Sequence, residues 1–153
     1  MKRKLTLAAM IKEIKTASTN INIKGYQADF SKLEEVKSMA AKIKADFQSI
    51  DVLVNNAGVF KATNPITENG LDIRMVVNYL ASYELTQALL PLLQQSSDPR
   101  IINLSSEAQA TVSPQSLEKN PRLSDNEAHP DAYEDETIDA LIVSTEKVLG
   151  PLV

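Results

Sequence analysis

At 153 residues the chain has the length of one domain, and with 43% apolar but only 5% aromatic residues it must fill a core with aliphatic side chains. A formal net charge of −4 and a pI near 5.0 exclude a general nucleic-acid or anionic-membrane binder, which would cluster Lys and Arg. The lack of Cys excludes disulfide, thiolate and Cys-zinc chemistry, and a single His, His129, argues against a His-built metal site, so no metal is expected.

The basic run Met1-Lys2-Arg3-Lys4 reads as a solvated terminus. No apolar run approaches the ~20 residues of a membrane helix, and no signal-peptide pattern precedes the first element. A soluble, cytoplasmic chain without a membrane span is the expectation. Leu7, Met10, Ile11 and Ile14 lie on one face of a helix that Ser18-Thr19-Asn20 ends. Ile21, Ile23, Tyr26 and Ala28 read as a strand interrupted at Gly25. Ser31-Lys32-Leu33-Glu34 has the form of a capping box, opening a helix with Leu33, Val36, Ala40, Ile43 and Phe47 on one side. Val52-Leu53-Val54 fits a parallel strand covered on both faces.

Asn64-Pro65 marks a turn before a helical pattern from about Leu71 to Gln94, which Ser96-Ser97-Asp98-Pro99 stops. Ile101-Ile102-Asn103-Leu104 is a third short buried strand, ending at Ser105-Ser106. A polar, proline-bearing loop follows at about 107–130, and Glu134 to Leu149 has the pattern of a last helix. Strands alternating with helices predict right-handed parallel crossovers and one α/β domain over 1–153.

Three features bear on chemistry. Asn55-Asn56-Ala57-Gly58 closes a strand, where ligands of doubly wound sheets sit and small residues let a cofactor approach the backbone; an ordinary Asn/Gly turn gives the same pattern. Ser106 ends the next strand, where its hydroxyl could meet a substrate carbonyl or simply cap a turn. Asn78 lies in an apolar helix, where a buried amide needs partners or costs roughly 1–3 kcal/mol; a structural Asn bonded to a backbone carbonyl, or one facing solvent, gives the same pattern.

In order and spacing these residues resemble the short-chain dehydrogenase/reductase family, over Leu5 to about Ala128. Asp51 through Gly58 is similar to its D-x-L-V-N-N-A-G segment, which shapes the cofactor site. Asp29 is similar to the family's adenine-contacting Asp, Asn78 to the tetrad Asn that holds a water, and Ser106 to the catalytic Ser. The long loop after Ser106 resembles the retinol dehydrogenase-like subgroup. The resemblance implies a Rossmann-type doubly wound parallel sheet, NAD or NADP as cofactor, and a small-molecule alcohol or carbonyl substrate.

The departures are specific. No T-G-x-x-x-G-x-G turn exists to hold a pyrophosphate on backbone N–H groups, and the chain has only four Gly. The family's Tyr-x-x-x-Lys pair is broken: Tyr133 is followed at the Lys position by Thr137. A second alignment puts His129 on the Tyr position and Tyr133 on the Lys position. The carboxylates around Tyr133 disfavour its phenolate. The expectation is a partial Rossmann sheet lacking the first two and the C-terminal strands. Its exposed edges favour self-association. Two functions follow: an oxidoreductase by descent that is truncated or incomplete as this chain, or a non-catalytic remnant or interaction module.

Overall fold

The computed structural model describes residues 6–104 and 135–149, which divide into two units. One holds the residues up to Val52 together with Ala57–Arg100; the other holds Leu53–Asn56 together with the residues from Ile101 onward. The 107–130 loop, Ser106, His129 and Tyr133 lie outside the described residues.

In the first unit Thr6 opens α1 (Leu7–Ser18), its hydroxyl accepting from the Ala9 N–H at 3.3 Å. Thr19 stops the helix by entering the left-handed region at φ 57°. The Asn20 side chain then accepts from the Asn22 N–H at 2.8 Å, a local turn that competes with further helix.

The strand expected over Ile21–Ala28 does not form. The run has no backbone ladder, because among the described residues no strand lies beside it to take its N–H and C=O groups. Side chains fasten it instead. The Tyr26 hydroxyl donates to Asp46 Oδ2 at 2.6 Å, and Lys24 Nζ pairs with Asp46 Oδ1 at 3.0 Å. Gly25 lets the run pass close under α1: a Cβ there would come within 2.7 Å of Ile11 Cδ1 and 2.9 Å of Leu7 Cδ1.

The second helix, α2 (Leu33–Asp46), starts differently from the expected capping box. Ser31 and Glu34 do not reciprocate. Asp29 Oδ1 accepts from the Ser31 N–H and hydroxyl, and Glu35 Oε2, not Glu34, reaches back to the Asp29 N–H at 2.9 Å. Asp29 is the shorter acid, which suits a tight turn; Glu34 pairs outward with Lys37 at 3.4 Å.

The long helical pattern is continuous but not uniform. It runs as α3 (Ile73–Met75), a π turn over Val76–Leu80 and α4 (Ala81–Leu93). A turn at Thr67–Leu71, with Gly70 at φ +77°, leads into it. Val36, Met39 and Ala40 of α2 pack against α4, and with Leu80, Leu85, Leu89 and Leu93 they make the core of this unit. Burying each Leu contributes roughly 1.5–3 kcal/mol.

Strands β1 (Val52–Asn55) and β2 (Arg100–Asn103) make a two-stranded sheet. The Arg100 N–H donates to the Asp51 carbonyl at 2.8 Å and the Leu104 N–H to the Asn55 carbonyl at 3.0 Å, an advance in the same direction that makes the pair parallel. Neither strand is covered on both faces as its apolar run suggested. Val52 is 47% exposed, Val54 51% and Ile102 46%, because among the described residues no helix packs broadly over this sheet. In the second unit, α5 (Asp135–Leu149) buries Thr145, whose hydroxyl donates to the Leu141 carbonyl at 2.8 Å, while Leu141, Ile142 and Val148 are exposed. No helix among the described residues is long and apolar enough to cross a membrane.

Asp72 caps α3: its Oδ1 accepts from the Arg74 N–H at 2.8 Å and from Arg74 Nε at 2.9 Å, and its Oδ2 meets Arg74 Nη2. The Arg74 guanidinium, bonded to the carboxylate, lowers the Asp72 pKa to about 2. A folded pKa below the unfolded value stabilises the fold above the unfolded pKa, and that stability is lost as pH falls from about 4 toward about 2. In Asp72→Asn the melting temperature is therefore expected to drop less between pH 5 and pH 2 than in the wild-type chain. An identical drop in both, followed by circular dichroism, would contradict this.

Candidate functional site

Asn55 takes part in a polar arrangement in the second unit, and the residue that follows Gly58 in another in the first. In the second unit Asn55, half-buried at the end of β1, donates from Nδ2 to Asn103 Oδ1 on β2 at 2.8 Å. The neighbouring backbone bond, Leu104 N–H to Asn55 C=O, runs beside it. Asn56, Ala57 and Gly58 are exposed.

In the first unit Asn78 sits in the π turn and closes a two-bond clamp on Val59. Its Oδ1 accepts from the Val59 N–H at 2.7 Å, and its Nδ2 donates to the Val59 carbonyl at 3.0 Å. The amide thus imitates a strand neighbour for the residue that follows Gly58. Widening the helix by one residue at this turn is a form that recurs at functional sites. Asn78 faces solvent and also bonds backbone, two outcomes the sequence left open, so its partners position a loop and do not satisfy a core. An amide has four bonding positions, and the clamp uses two.

Nothing among the described residues requires glycine at position 58. Its φ is not positive, and a Cβ there would stand an ordinary 3.6 Å from Asn78 Oδ1. Asp29, exposed before α2, directs Oδ1 to Ser31. The Ser31 hydroxyl bond is the main reason its pKa is lowered, so it is an anion at neutral pH. The structure brings Gly58 and Asn78 together and leaves Asp29 in a separate turn of the same unit. Ser106 and Tyr133 lie outside the described residues.

Two residues escaped the sequence reading as contributors. Asp51 was visible only as the first letter of the motif. Its Oδ1 accepts from the Ser96 hydroxyl at 2.5 Å and its carbonyl from Arg100 N–H, so it ties the end of α4 to the starts of both strands. Asn103 was visible as a lone amide in an apolar strand, a signal that went unused.

The short chain dehydrogenase family model matches residues 1–117. The chain belongs to the short-chain dehydrogenase family. Human retinol dehydrogenase 13 is 37% identical to it over 98 residues, 64% of this chain and 30% of that protein. Dehydrogenase RED2 of Cochliobolus heterostrophus is 36% identical over 98 residues, 63% of this chain and 37% of that one. The chain thus spans about a third of the length of these curated relatives, several of which are retinol dehydrogenases. A metagenomic short-chain oxidoreductase solved in complex with NADP superposes with a TM-score of 0.56 at 29% identity, over 70% of this chain and 49% of that one. Pseudomonas aeruginosa RhlG, at 23% identity, agrees in fold with a TM-score of 0.54 over 90% of this chain and 51% of its own. These neighbours make the chain a partial Rossmann-type α/β fold.

Removing the clamp tests its weight. Asn78→Leu deletes two hydrogen bonds at similar volume, and urea unfolding is expected to show a loss of about 1–2 kcal/mol. Unchanged stability would mean that the clamp does not form in solution.

Proposed function

We propose that this chain carries the middle of a nicotinamide-dependent oxidoreductase site acting on a small-molecule alcohol or carbonyl. The observation that carries the reading is the Asn78 clamp on Val59, which holds the backbone next to Asn55–Gly58 within the family-matched stretch. When bound, NAD or NADP supplies or accepts the hydride.

In this reading Asn55, Asn56, Ala57 and Gly58 flank the cofactor, and the missing Cβ of Gly58, which nothing in the described chain requires, leaves room for it. Asp29 keeps Oδ2 for the adenine amino group, since its bonds to Ser31 both fall on Oδ1. Asn78 uses its two remaining amide positions to hold a water, Ser106 meets the substrate oxygen, and Tyr133 is the candidate proton donor. The strand-end turn and Asp29 fit a nicotinamide dinucleotide, and the NADP in the metagenomic neighbour supports that class of cofactor. The 153 residues contain no Gly-rich pyrophosphate turn and no Tyr-x-x-x-Lys pair, so as one partial domain the chain alone is incomplete for turnover. The acidic, cysteine-free composition suits a cytoplasmic setting.

Titration with NADH and NADPH, following nicotinamide fluorescence, is expected to give weak saturable binding, on the order of 1 mM. No response to either cofactor would instead favour a non-catalytic interaction module, a reading that Thr137 at the family's Lys position also supports.

The exposed apolar strands carry a proposal of their own: copies of the chain associate through β1 and β2. Sedimentation velocity is expected to show mass rising with concentration, and Val54→Lys to suppress it. A monodisperse monomer at 100-fold different loadings would refute the association.

A further inference from the structure

We propose that Asn103 is a positioning residue for this site: its amide oxygen holds the Asn55 side chain and so fixes the turn along which the nicotinamide dinucleotide lies. The inference rests on the oxidoreductase reading above.

Three observations converge on Asn103. Asn is a poor strand former, and Ile101, Ile102 and Leu104 around it show what the strand otherwise prefers. The residue is exposed, so burial does not select an amide there, and a Val or Thr would form the strand better. Its described partner is Asn55, at 2.8 Å. A local rule broken without a local reason points to a site requirement.

The geometry says what the requirement is. Asn55 is the first residue of the turn, and Asn103 stands three residues before Ser106 in sequence. The amide–amide bond lies beside the Leu104–Asn55 backbone bond, so two bonds brace the end of β1 against β2. With Nδ2 engaged by Asn103, the Asn55 amide is held in one of its two flipped orientations. The turn that follows starts from a fixed side chain and a fixed carbonyl. One strut therefore sets the first residue of the cofactor-flanking turn against β2.

The direction of the bond makes the test selective. Asn103→Asp keeps an acceptor for Asn55 Nδ2, Asn103→Leu keeps the size and loses the acceptor, and Asn103→Ser shortens the group out of reach while remaining polar. In the ¹⁵N-labelled full chain, the Asn55 side-chain NH₂ signals are identified by their loss in Asn55→Asp. Their exchange with water is expected to be roughly tenfold slower than that of exposed Asn amides, the effect of one neutral hydrogen bond. That slowing persists in Asn103→Asp and disappears in Asn103→Leu and Asn103→Ser. Added NADPH is expected to shift the Asn56–Gly58 backbone amides in wild type and Asn103→Asp, and to do so about tenfold more weakly in the other two. Unchanged Asn55 exchange in both Asn103→Leu and Asn103→Ser overturns the strut. A lost strut with an unchanged NADPH response overturns the positioning role. If NADPH moves nothing in wild type, the oxidoreductase reading fails and takes the cofactor part with it, while the Asn55 exchange still decides the strut.

Discussion

The register of one parallel strand pair governs the candidate site, and Asp51 sets it. Its carboxylate takes the Ser96 hydroxyl and its carbonyl takes Arg100 N–H, while the preceding Ile50 N–H is bonded to the Leu92 carbonyl at 3.1 Å. These bonds leave the strands one way to start. With Arg100 N–H on the Asp51 carbonyl, four residues later Leu104 N–H falls on the Asn55 carbonyl, and the Asn55 and Asn103 side chains meet on one face. A slip of one residue would turn every side chain of the strand over and separate the two amides. Asp51 is thus the register device, and the two Asn are its first consequence.

What was legible in the sequence divides by the range of the interactions. Helices were readable because their determinants are local: the Leu7–Ile14 stripe and the Ser18-Thr19-Asn20 stop mark α1, and the run to Gln94 marks α3 through α4. The family was readable because its polar residues hold fixed offsets. The Ile21–Ala28 strand was misread, since alternation speaks of a face and not of a neighbour. A strand needs another backbone, and here Tyr26, Lys24 and Gly25 attach the run to helices instead. The capping box was misread by one residue, because Asp29 upstream took the turn that Ser31 had seemed to make. The π turn has no signature in apolar spacing, and Asn103 was hidden because its role appears only when a second strand stands beside it.

The residues that mark this family are, in this chain, mainly builders. Asn55 bonds Asn103, Asn78 bonds Val59, and Asp51 bonds Ser96; each spends its polarity on another part of the chain. That explains how the pattern is preserved here without the Gly-rich turn or the Tyr-x-x-x-Lys pair. Residues that shape a strand end are needed for the local fold whether or not chemistry follows. Gly58 is the exception. Nothing around it in the described chain forbids a side chain, so its smallness is the feature that fold alone leaves unexplained.

The same sheet joins stability to function. Two four-residue strands are marginal by themselves in water, and these two leave Val52, Val54, Ile101, Ile102 and Leu104 substantially exposed. The Asn55–Gly58 turn hangs from the carboxyl end of β1. A surface that covered the strands, from whatever source, would remove apolar area from water and raise the energy needed to part β1 from β2. It would therefore also sharpen the Asn55–Asn103 contact and the turn beyond it. Covering the sheet and ordering the candidate site are one equilibrium: a ligand that binds only the ordered turn should strengthen the association, and association should strengthen the ligand.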